Sequence, residues 1–259
     1  MRADVFLTEY GYVESRTRAS KLIDRGCVAI DGKTLSKSST DIPDGEHEVV
    51  ISNTDRYVGR GGLKLEAALN SFDIDVLGKR CIDVGASTGG FTDCLLQSGA
   101  REVYAVDSGR VQLHKSLISD KRVVNIEGYN ARELSRGDFG TFDLAVMDVS
   151  FISQTLIHPA LSSLLLSGSY FISLIKPQFE AGRSAIGKNG IVKSEKDREK
   201  AIYRVIDSAR SCGFRTIGLI VSPIKGGDGN VEYLVCFEKQ DGIPTDTVSA
   251  ELVKQIARK

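Results

Sequence analysis

The sequence is poor in the residues that hold disulfide-rich or metal-binding proteins together. Its five cysteines form no Cys-x-x-Cys pair, and its 259 residues include three histidines. Cysteines scattered in this way are typical of reduced thiols in a cytoplasmic protein rather than of a disulfide framework. So few histidines exclude a histidine-rich metal site, and we therefore expect no resident metal.

The formal net charge of the sequence is zero. The 34 lysines and arginines equal the 34 aspartates and glutamates, which excludes a histone-like polycation but allows a local basic surface. Charged residues interrupt the N-terminal segment every few positions, so we expect no secretory signal peptide. The composition is that of an ordinary globular protein, and the length suits one or two domains.

One stretch, 149–175, carries no formal charge and is long enough to span a bilayer. It nevertheless contains seven serines, together with His158, Pro159 and Gly168. This composition favours a loop, a helix and a strand over a membrane span, so we expect no membrane partner.

Residues 1–52 differ from the rest of the chain. A helical pattern leads into GCVAIDGKTL, which predicts two short strands joined by a turn at Asp31-Gly32, and HEVVIS predicts a third strand. Between positions 15 and 40 there are six basic and two acidic residues. Charge alone is also compatible with an ordinary solvated helix face.

The pattern RADVFL…SRTRASKLIDRGCVAIDGKTLSKSS resembles an S4 RNA-binding domain. In that family a basic helix and the hairpin after it lie against structured RNA. Contacts of this kind position RNA through charge and carry little sequence information. The resemblance implies phosphate contacts for Arg2, Arg16, Arg18, Lys21 and Lys37.

Residues 53–60 are polar and irregular, which predicts a linker. In 61–240 strand-like runs alternate with helical patterns, which predicts a parallel sheet covered on both faces. The last two runs are joined by too few residues for a parallel crossover, so we expect them to be antiparallel. Residues 241–259 are predicted to be a helical tail. We expect strands at 80–84, 102–106, 123–127, 142–147 and 170–175, and helices near 90–99, 110–117, 154–166 and 195–211.

The most informative motif is CIDVGASTGGFTDCLLQSG, a glycine-rich turn between a strand and a helix. Its spacing is neither the GxGxxG of dinucleotide-binding proteins nor the GxxxxGK[ST] of a P-loop. An acidic residue before the first glycine favours S-adenosylmethionine, with the carboxylate near its ammonium end. The candidate cofactor-binding residues in this motif are Asp83, Gly85, Ser87, Gly89, Gly90 and Phe91.

Two later residues extend this site. Asp107 ends the next predicted strand, where a carboxylate can accept both hydroxyl protons of a ribose, although a helix N-cap is the other interpretation. Asn130 is a candidate for reading the adenine edge, and turn chemistry is its alternative. With the doubly wound sheet and its terminal antiparallel hairpin, the motif predicts the α/β, Rossmann-like fold of an S-adenosylmethionine-dependent methyltransferase.

Four charged residues are predicted to gather at one edge of the sheet. Asp148 and Lys176 follow two predicted strands, and Glu232 opens the antiparallel last strand, so all three lie where open α/β sheets bind ligands. Lys64 joins them if its helix packs back. Each residue alone could be a turn residue or a solvated side chain, but a cluster of lysines and carboxylates is mutually compensating.

The order Lys-Asp-Lys-Glu resembles the tetrad of FtsJ-like ribose 2'-O-methyltransferases. The whole chain resembles the TlyA family, which pairs an S4 domain with that fold. The resemblance implies methyl transfer from S-adenosylmethionine to a cytidine 2'-hydroxyl of ribosomal RNA, free or in ribosomal subunits, with Lys64, Asp148, Lys176 and Glu232 as catalytic residues. The shared stretches are YVGRGGLKL, DVGASTGGFTDCLLQ, NARE, DVSFIS, LIKPQFE, GKNGIVK and NVEYLV.

Several alternatives stay open at this point. An isolated lysine is a poor base at neutral pH, so Lys176 either removes the hydroxyl proton or orients the hydroxyl. A methyltransferase that acts on a base or a protein is disfavoured, because an NPPY-like motif and a suitably placed cysteine are absent. The remaining alternatives are a haemolysin-like membrane-active protein, a label the family also carries, and a non-catalytic ribosome-binding factor.

Overall fold

The structure is a computed structural model that describes residues 1–24, 26–51, 56–187, 190–227, 229–242 and 244–259. It divides into two compact units, Met1–Arg60 and Gly61–Lys259. The predicted linker lies partly outside the described residues.

The first unit contains two helices and a small antiparallel sheet with strand order β2-β1-β3. Its core forms where the apolar faces of both helices, with residues such as Leu7 and Ile23, pack against the sheet. Asp31 and Gly32 both have positive φ, +51° and +72°, as a two-residue hairpin loop requires. The predicted turn is thus confirmed. The elements are α1 (Ala3–Glu9), α2 (Arg16–Asp24), β1 (Val28–Ile30), β2 (Lys33–Thr34) and β3 (Val49–Ile51).

The second unit is a seven-stranded sheet with order β6-β5-β4-β7-β8-β10-β9, covered by helices. The alternating sequence pattern produces this layering because each crossover helix buries one face of the parallel strands. The elements are α3 (Gly61–Phe72), β4 (Arg80–Val84), α4 (Gly90–Gln97), β5 (Glu102–Asp107), α5 (Lys115–Ile118), β6 (Val123–Glu127), α6 (Arg136–Phe139), β7 (Phe142–Met147), α7 (His158–Leu164), β8 (Leu165–Ile175), α8 (Pro177–Glu180), α9 (Glu195–Ser211), β9 (Phe214–Val221), β10 (Tyr233–Lys239) and α10 (Ala250–Ala257).

The strand order determines where a ligand can bind. Strand β10 runs antiparallel to both β8 and β9, whereas the neighbouring pairs from β6 to β8 are parallel. The predicted terminal antiparallel pair is therefore confirmed. Strands β4, β5 and β6 extend the sheet in one direction, and the chain then returns to place β7 on the other side of β4. Such a switch point between β4 and β7 opens a crevice at the carboxyl ends of the strands.

The predicted helix at 110–117 is wrong over its first half. Helix α5 begins at Lys115, and the backbone N–H groups of Val111, Gln112 and Leu113 donate to the side chain of Glu127 instead of to helical carbonyls. Val111 also has a φ of +56°, which no right-handed helix accommodates. The carboxylate of Glu127, which is distant in sequence, therefore determines the backbone conformation of 111–113.

The uncharged stretch 149–175 forms the expected loop, helix and strand, with different boundaries. A 3-10 turn (Gln154–Leu156) precedes α7, and β8 begins five residues before the predicted strand. Pro159 stands in the first turn of α7, where its missing N–H costs no helical hydrogen bond. Across the described residues, no helix is both long and apolar enough to cross a membrane.

Candidate active site

A tight turn joins β4 to α4 at the centre of the carboxyl edge. Gly85 has a φ of +86°, and a Cβ there would lie 2.6 Å from the carbonyl oxygen of Asp148. Gly89 has a φ of +95°, and a Cβ there would lie 2.2 Å from Leu117. Only glycine fits at either position, because both the backbone conformation and the space exclude a side chain. The predicted glycine turn therefore brings β4, β7 and α5 close together.

A cavity of about 480 Å³ opens beside this turn. Gly85, Ser87, Asp107 and Asn130, all predicted from the sequence, contribute to its wall, and so does Asp148. The other candidates of the glycine motif, Asp83, Gly89, Gly90 and Phe91, do not line it.

Asp107 is fixed in position at the cavity wall. Its Oδ2 accepts a hydrogen bond from the backbone N–H of Ser87 at 2.8 Å, and its Oδ1 accepts one from that of Gly109 at 2.7 Å. Each carboxylate oxygen can still accept a further hydrogen bond. The aspartate thus ties the glycine turn to the end of β5 and remains able to receive ligand hydroxyls.

Asp83 lies behind the turn rather than at the cavity. It is fully buried, its Oδ2 accepts a hydrogen bond from Thr92 Oγ1 at 2.7 Å, and its Oδ1 has no hydrogen-bond partner among the residues that the structure describes. Burial raises the pKa of Asp83 to about 7, and the nearby negative charge of Asp148 adds to the shift. An unpartnered buried carboxylate oxygen is costly, which is why its protonated form is favoured.

The side chain of Asn130 already has local partners. Its Oδ1 accepts from the backbone N–H of Arg132 at 3.2 Å, and its Nδ2 donates to Glu133 at 2.9 Å. It therefore caps the 3-10 turn Ala131–Glu133, as the turn interpretation proposed. Its part in adenine recognition stays a prediction.

The four charged candidates form two ion pairs. Lys176 Nζ lies 2.6 Å from Asp148 Oδ1 and donates a hydrogen bond to Ser150 Oγ at 2.7 Å. Lys64 Nζ lies 2.6 Å from Glu232 Oε2. The side chains of Lys64 and Glu232 are 9% and 3% exposed, so this pair is shielded from solvent, whereas the pair at Lys176 borders the cavity.

Strand pairing brings these two ion pairs to adjoining positions. The ladder between β8 and β10 ends at Ile175 opposite Tyr233. Lys176 directly follows Ile175 and Glu232 directly precedes Tyr233, so in this antiparallel pair the two residues stand at the next opposing positions. Glu232 thus precedes the last strand instead of opening it as predicted, and its oxygen lies close to the backbone of Gly226.

A buried polar network that the sequence did not reveal holds the two segments around Lys176 together. Glu180, four residues after the lysine, accepts hydrogen bonds from Ser153 Oγ at 2.6 Å and from Gln154 N at 2.9 Å. Gln154 Oε1 in turn accepts from Ser173 Oγ in β8. Burial raises the pKa of Glu180. DVSFIS and LIKPQFE contain two of these four residues, Ser153 and Glu180, but their spacing in the sequence gives no sign that they are hydrogen-bonded.

The predicted RNA-contact residues of the first unit have unequal surroundings. Arg2 and Arg16 both pair with the buried carboxylate of Asp4, at 2.9 Å each. The hydrogen bond from Arg2, with support from Arg16, lowers the pKa of Asp4 to about 2. Lys21 and Lys37 have no ion-pair partner in the described part of this unit. Arg18 also lies on α2.

The strand order, the glycine turn and the charged edge define an α/β protein of the S-adenosylmethionine-dependent methyltransferase class. Residues 57–239 match the family described as FtsJ-like methyltransferase, and residues 1–47 match the S4 domain. The chain belongs to the FtsJ-like methyltransferases and, within them, to the TlyA family, in which an S4 domain precedes this fold.

Individual relatives are similar over most of their length. "Hemolysin A" of Brachyspira hyodysenteriae is 44% identical over 92% of this chain and 99% of its own. "16S/23S rRNA (cytidine-2'-O)-methyltransferase TlyA" of Mycobacterium tuberculosis is 41% identical over 92% of this chain and 90% of its own. A solved structure from Streptococcus thermophilus, provisionally described as a hemolysin, is 43% identical and has a TM-score of 0.78, covering 100% of this chain and 94% of that one.

Proposed function

We propose that this chain transfers a methyl group from S-adenosylmethionine to the ribose 2'-hydroxyl of a cytidine in ribosomal RNA. The observation that carries the proposal is the pairing of Lys176 with Asp148 at the edge of the cavity, beside the second pair formed by Lys64 and Glu232. The relative from Mycobacterium tuberculosis, named for this reaction, supports the choice of substrate. Ribosomal RNA as substrate places the reaction in the cytoplasm.

The residues of the cavity fit a nucleoside cofactor with a charged end. Asp107 offers two fixed carboxylate oxygens to a ribose diol, and Gly85 lets the glycine turn pass close to the backbone of Asp148 at the cavity wall. The other candidates of the glycine motif lie outside the cavity wall and support the shape of the turn. They are Asp83, Gly89, Gly90 and Phe91. S-adenosylmethionine, when bound, supplies a methyl group already activated by the positive sulfonium.

The chain's own task is to orient one hydroxyl and to manage its proton. Lys176 Nζ uses one hydrogen on Ser150 and lies against Asp148, so two residues of the cavity wall hold it in place. A neutral Lys176 accepts the hydroxyl proton, whereas a protonated one donates to the hydroxyl oxygen and directs its lone pair. Lys64 and Glu232 hold the adjoining strand end in place, so the alignment is set before the reaction begins.

The basic residues of the first unit support an RNA substrate. Arg2, Arg16, Arg18, Lys21 and Lys37 provide positive charge for phosphate contacts, which dominate the affinity for RNA and depend on salt. This assignment rests on the match to the S4 domain and on the exposure of these side chains.

The proposal is tested by incubating the purified chain with methyl-labelled S-adenosylmethionine and ribosomal subunits or their free RNA. We expect label in RNA and a 2'-O-methylcytidine after digestion. Mapping of ribose methylation in cells with and without the gene then locates the nucleotide. Binding to subunits without any transfer would contradict the proposal and favour a non-catalytic ribosome-binding factor, and label on a base would contradict the choice of hydroxyl.

A further inference from the structure

The segment from Ser108 to Leu113 has an unusual support. The backbone N–H groups of Val111, Gln112 and Leu113 all donate to the carboxylate of Glu127, at 2.6, 2.9 and 3.1 Å. Three successive N–H groups that converge on one anion form a nest, and this nest is filled by the protein's own side chain. The hydrogen bonds lower the pKa of Glu127, so its carboxylate stays ionised and the nest stays closed at neutral pH.

The nest imposes strain on Val111. This β-branched residue has a φ of +56°, and its side chain is 93% exposed. A left-handed backbone is unfavourable at such a residue and persists only where the surroundings determine it. Because the Val111 side chain is exposed, its packing does not explain the left-handed conformation. The conformation is explained by the backbone path that it creates through 108–113.

That backbone path builds one wall of the cavity. Ser108, Gly109 and Gln112 line it, and Leu113 packs close to Gly89 of the glycine turn. Gly109 donates to Asp107 through its N–H and accepts from Gly128 N through its carbonyl, at 2.7 and 2.8 Å. Hydrogen bonds therefore hold the segment 108–113 at Gly109 near its start and at 111–113 in its second half.

The side chains of Gln112 and Asp107 both lie next to Gly109. A Cβ on Gly109 would lie 3.1 Å from both Gln112 Nε2 and Asp107 Oδ1, so the amide and the carboxylate flank the same glycine. Within the described residues, the Gln112 amide has no hydrogen-bond partner. An ionised aspartate only accepts hydrogen bonds, whereas a glutamine amide also donates.

We propose that Gln112 is a second ribose-binding residue of the cofactor site and that Glu127 positions it through the nest. A ribose diol has hydroxyl hydrogens to donate, which suit Asp107, and oxygens that accept, which suit the amide of Gln112. The inference rests on the proposed function, because it takes the nucleoside half of S-adenosylmethionine as the ligand.

The test is calorimetric titration of the full chain with S-adenosylhomocysteine. Gln112→Ala is expected to bind it roughly three- to tenfold more weakly, the range for loss of one hydrogen bond. The 2'-deoxy and 3'-deoxy analogues then locate the contact: the loss should vanish for the analogue that lacks the contacted hydroxyl and persist for the other. Equal affinity of Gln112→Ala and wild type, or the same loss for both analogues, would overturn the inference.

Glu127 is tested by rescue. Glu127→Ala should weaken binding of S-adenosylhomocysteine at least as much as Gln112→Ala, and Glu127→Gln should restore part of it, because an amide oxygen still accepts from the nest. Glu251→Ala, a change at an exposed residue of α10, serves as the matched control and should bind as wild type does. Equal binding by Glu127→Ala and this control would refute the positioning role.

The two proposals fail in different ways. If the wild-type chain bound no S-adenosylhomocysteine, the proposed function itself would be wrong. If wild type bound it and the Gln112 and Glu127 variants bound equally well, only the inference about this wall would be wrong.

Discussion

Lys64 Nζ lies 2.6 Å from Glu232 Oε2, although 168 positions separate the two residues along the chain. The pair joins helix α3 to the residue just before strand β10, and both side chains are buried. Burying either charge alone would be costly, so each charge compensates for the burial of the other.

Breaking this pair should destabilise the protein more than replacing it. We expect Lys64→Met to lower the free energy of unfolding by about 3–5 kcal/mol, because Glu232 is left buried and unpaired. The double variant Lys64→Met/Glu232→Leu should recover much of that loss and remain inactive. Urea denaturation measures the stability and labelled methyl transfer the activity.

The matched control is Lys200→Met, since Lys200 is 75% exposed and pairs with Asp197 one helical turn away. Exposed pairs of this kind contribute about 0–1 kcal/mol. A Lys64→Met variant as stable as this control would contradict the account of the buried pair.

The sequence predicts those parts of the fold that depend on local pattern. The strands at 80–84, 123–127 and 142–147 and the helix at 195–211 match the structure, because apolar runs and the N-cap Ser194 define them. The ion pair between Lys176 and Asp148 also follows from strand order, since both residues come directly after neighbouring parallel strands.

The remaining features depend on hydrogen bonds between distant residues. Glu127 and Glu180 each accept from backbone N–H groups far away in sequence, and an exposed or buried glutamate gives no periodic signal of such a bond. The same holds for Asp83, which the motif places near the cofactor and the structure places behind the turn. Spacing in the sequence therefore predicts which residues lie near an edge of the sheet, but it does not predict the hydrogen-bond partner of each residue.

Lys176 is predicted to act on the reaction and not on cofactor binding. Lys176→Ala should reduce methyl transfer to background, because the hydroxyl then loses the group that orients or deprotonates it. Its affinity for S-adenosylhomocysteine should stay within about twofold of wild type, a difference of about 0.4 kcal/mol. Lys193→Ala, at an exposed lysine, provides the control and should transfer methyl groups normally.

Wild-type turnover in Lys176→Ala would remove the residue from the mechanism altogether.

Asp83 makes stability depend on pH. Its pKa is about 7 in the folded chain and near 3.9 when unfolded, so the folded state binds more protons between about pH 4 and pH 7. The contribution is therefore stabilising at low pH and is lost as pH rises, by at most about 1.4 kcal/mol per pH unit. Asp83→Asn lacks this titration and can still accept from Thr92.

The measurement is urea unfolding of wild type and Asp83→Asn at several pH values from 5 to 8. We expect the variant to gain stability relative to wild type as pH rises to about 7, and the difference to level off above that value. Parallel stability curves for the two proteins would show that Asp83 does not carry the raised pKa.

The basic residues of the first unit should contribute unequally to RNA binding. Lys37→Ala should weaken binding to ribosomal RNA and reduce the slope of log affinity against log salt by about 0.7–0.9, the amount for one phosphate contact. Arg16→Ala should have a smaller effect, because Asp4 already holds that guanidinium at 2.9 Å. Filter binding at several salt concentrations measures both slopes, with Lys254→Ala in α10 as the control. A Lys37→Ala slope equal to that of the control would exclude this lysine from the RNA contact.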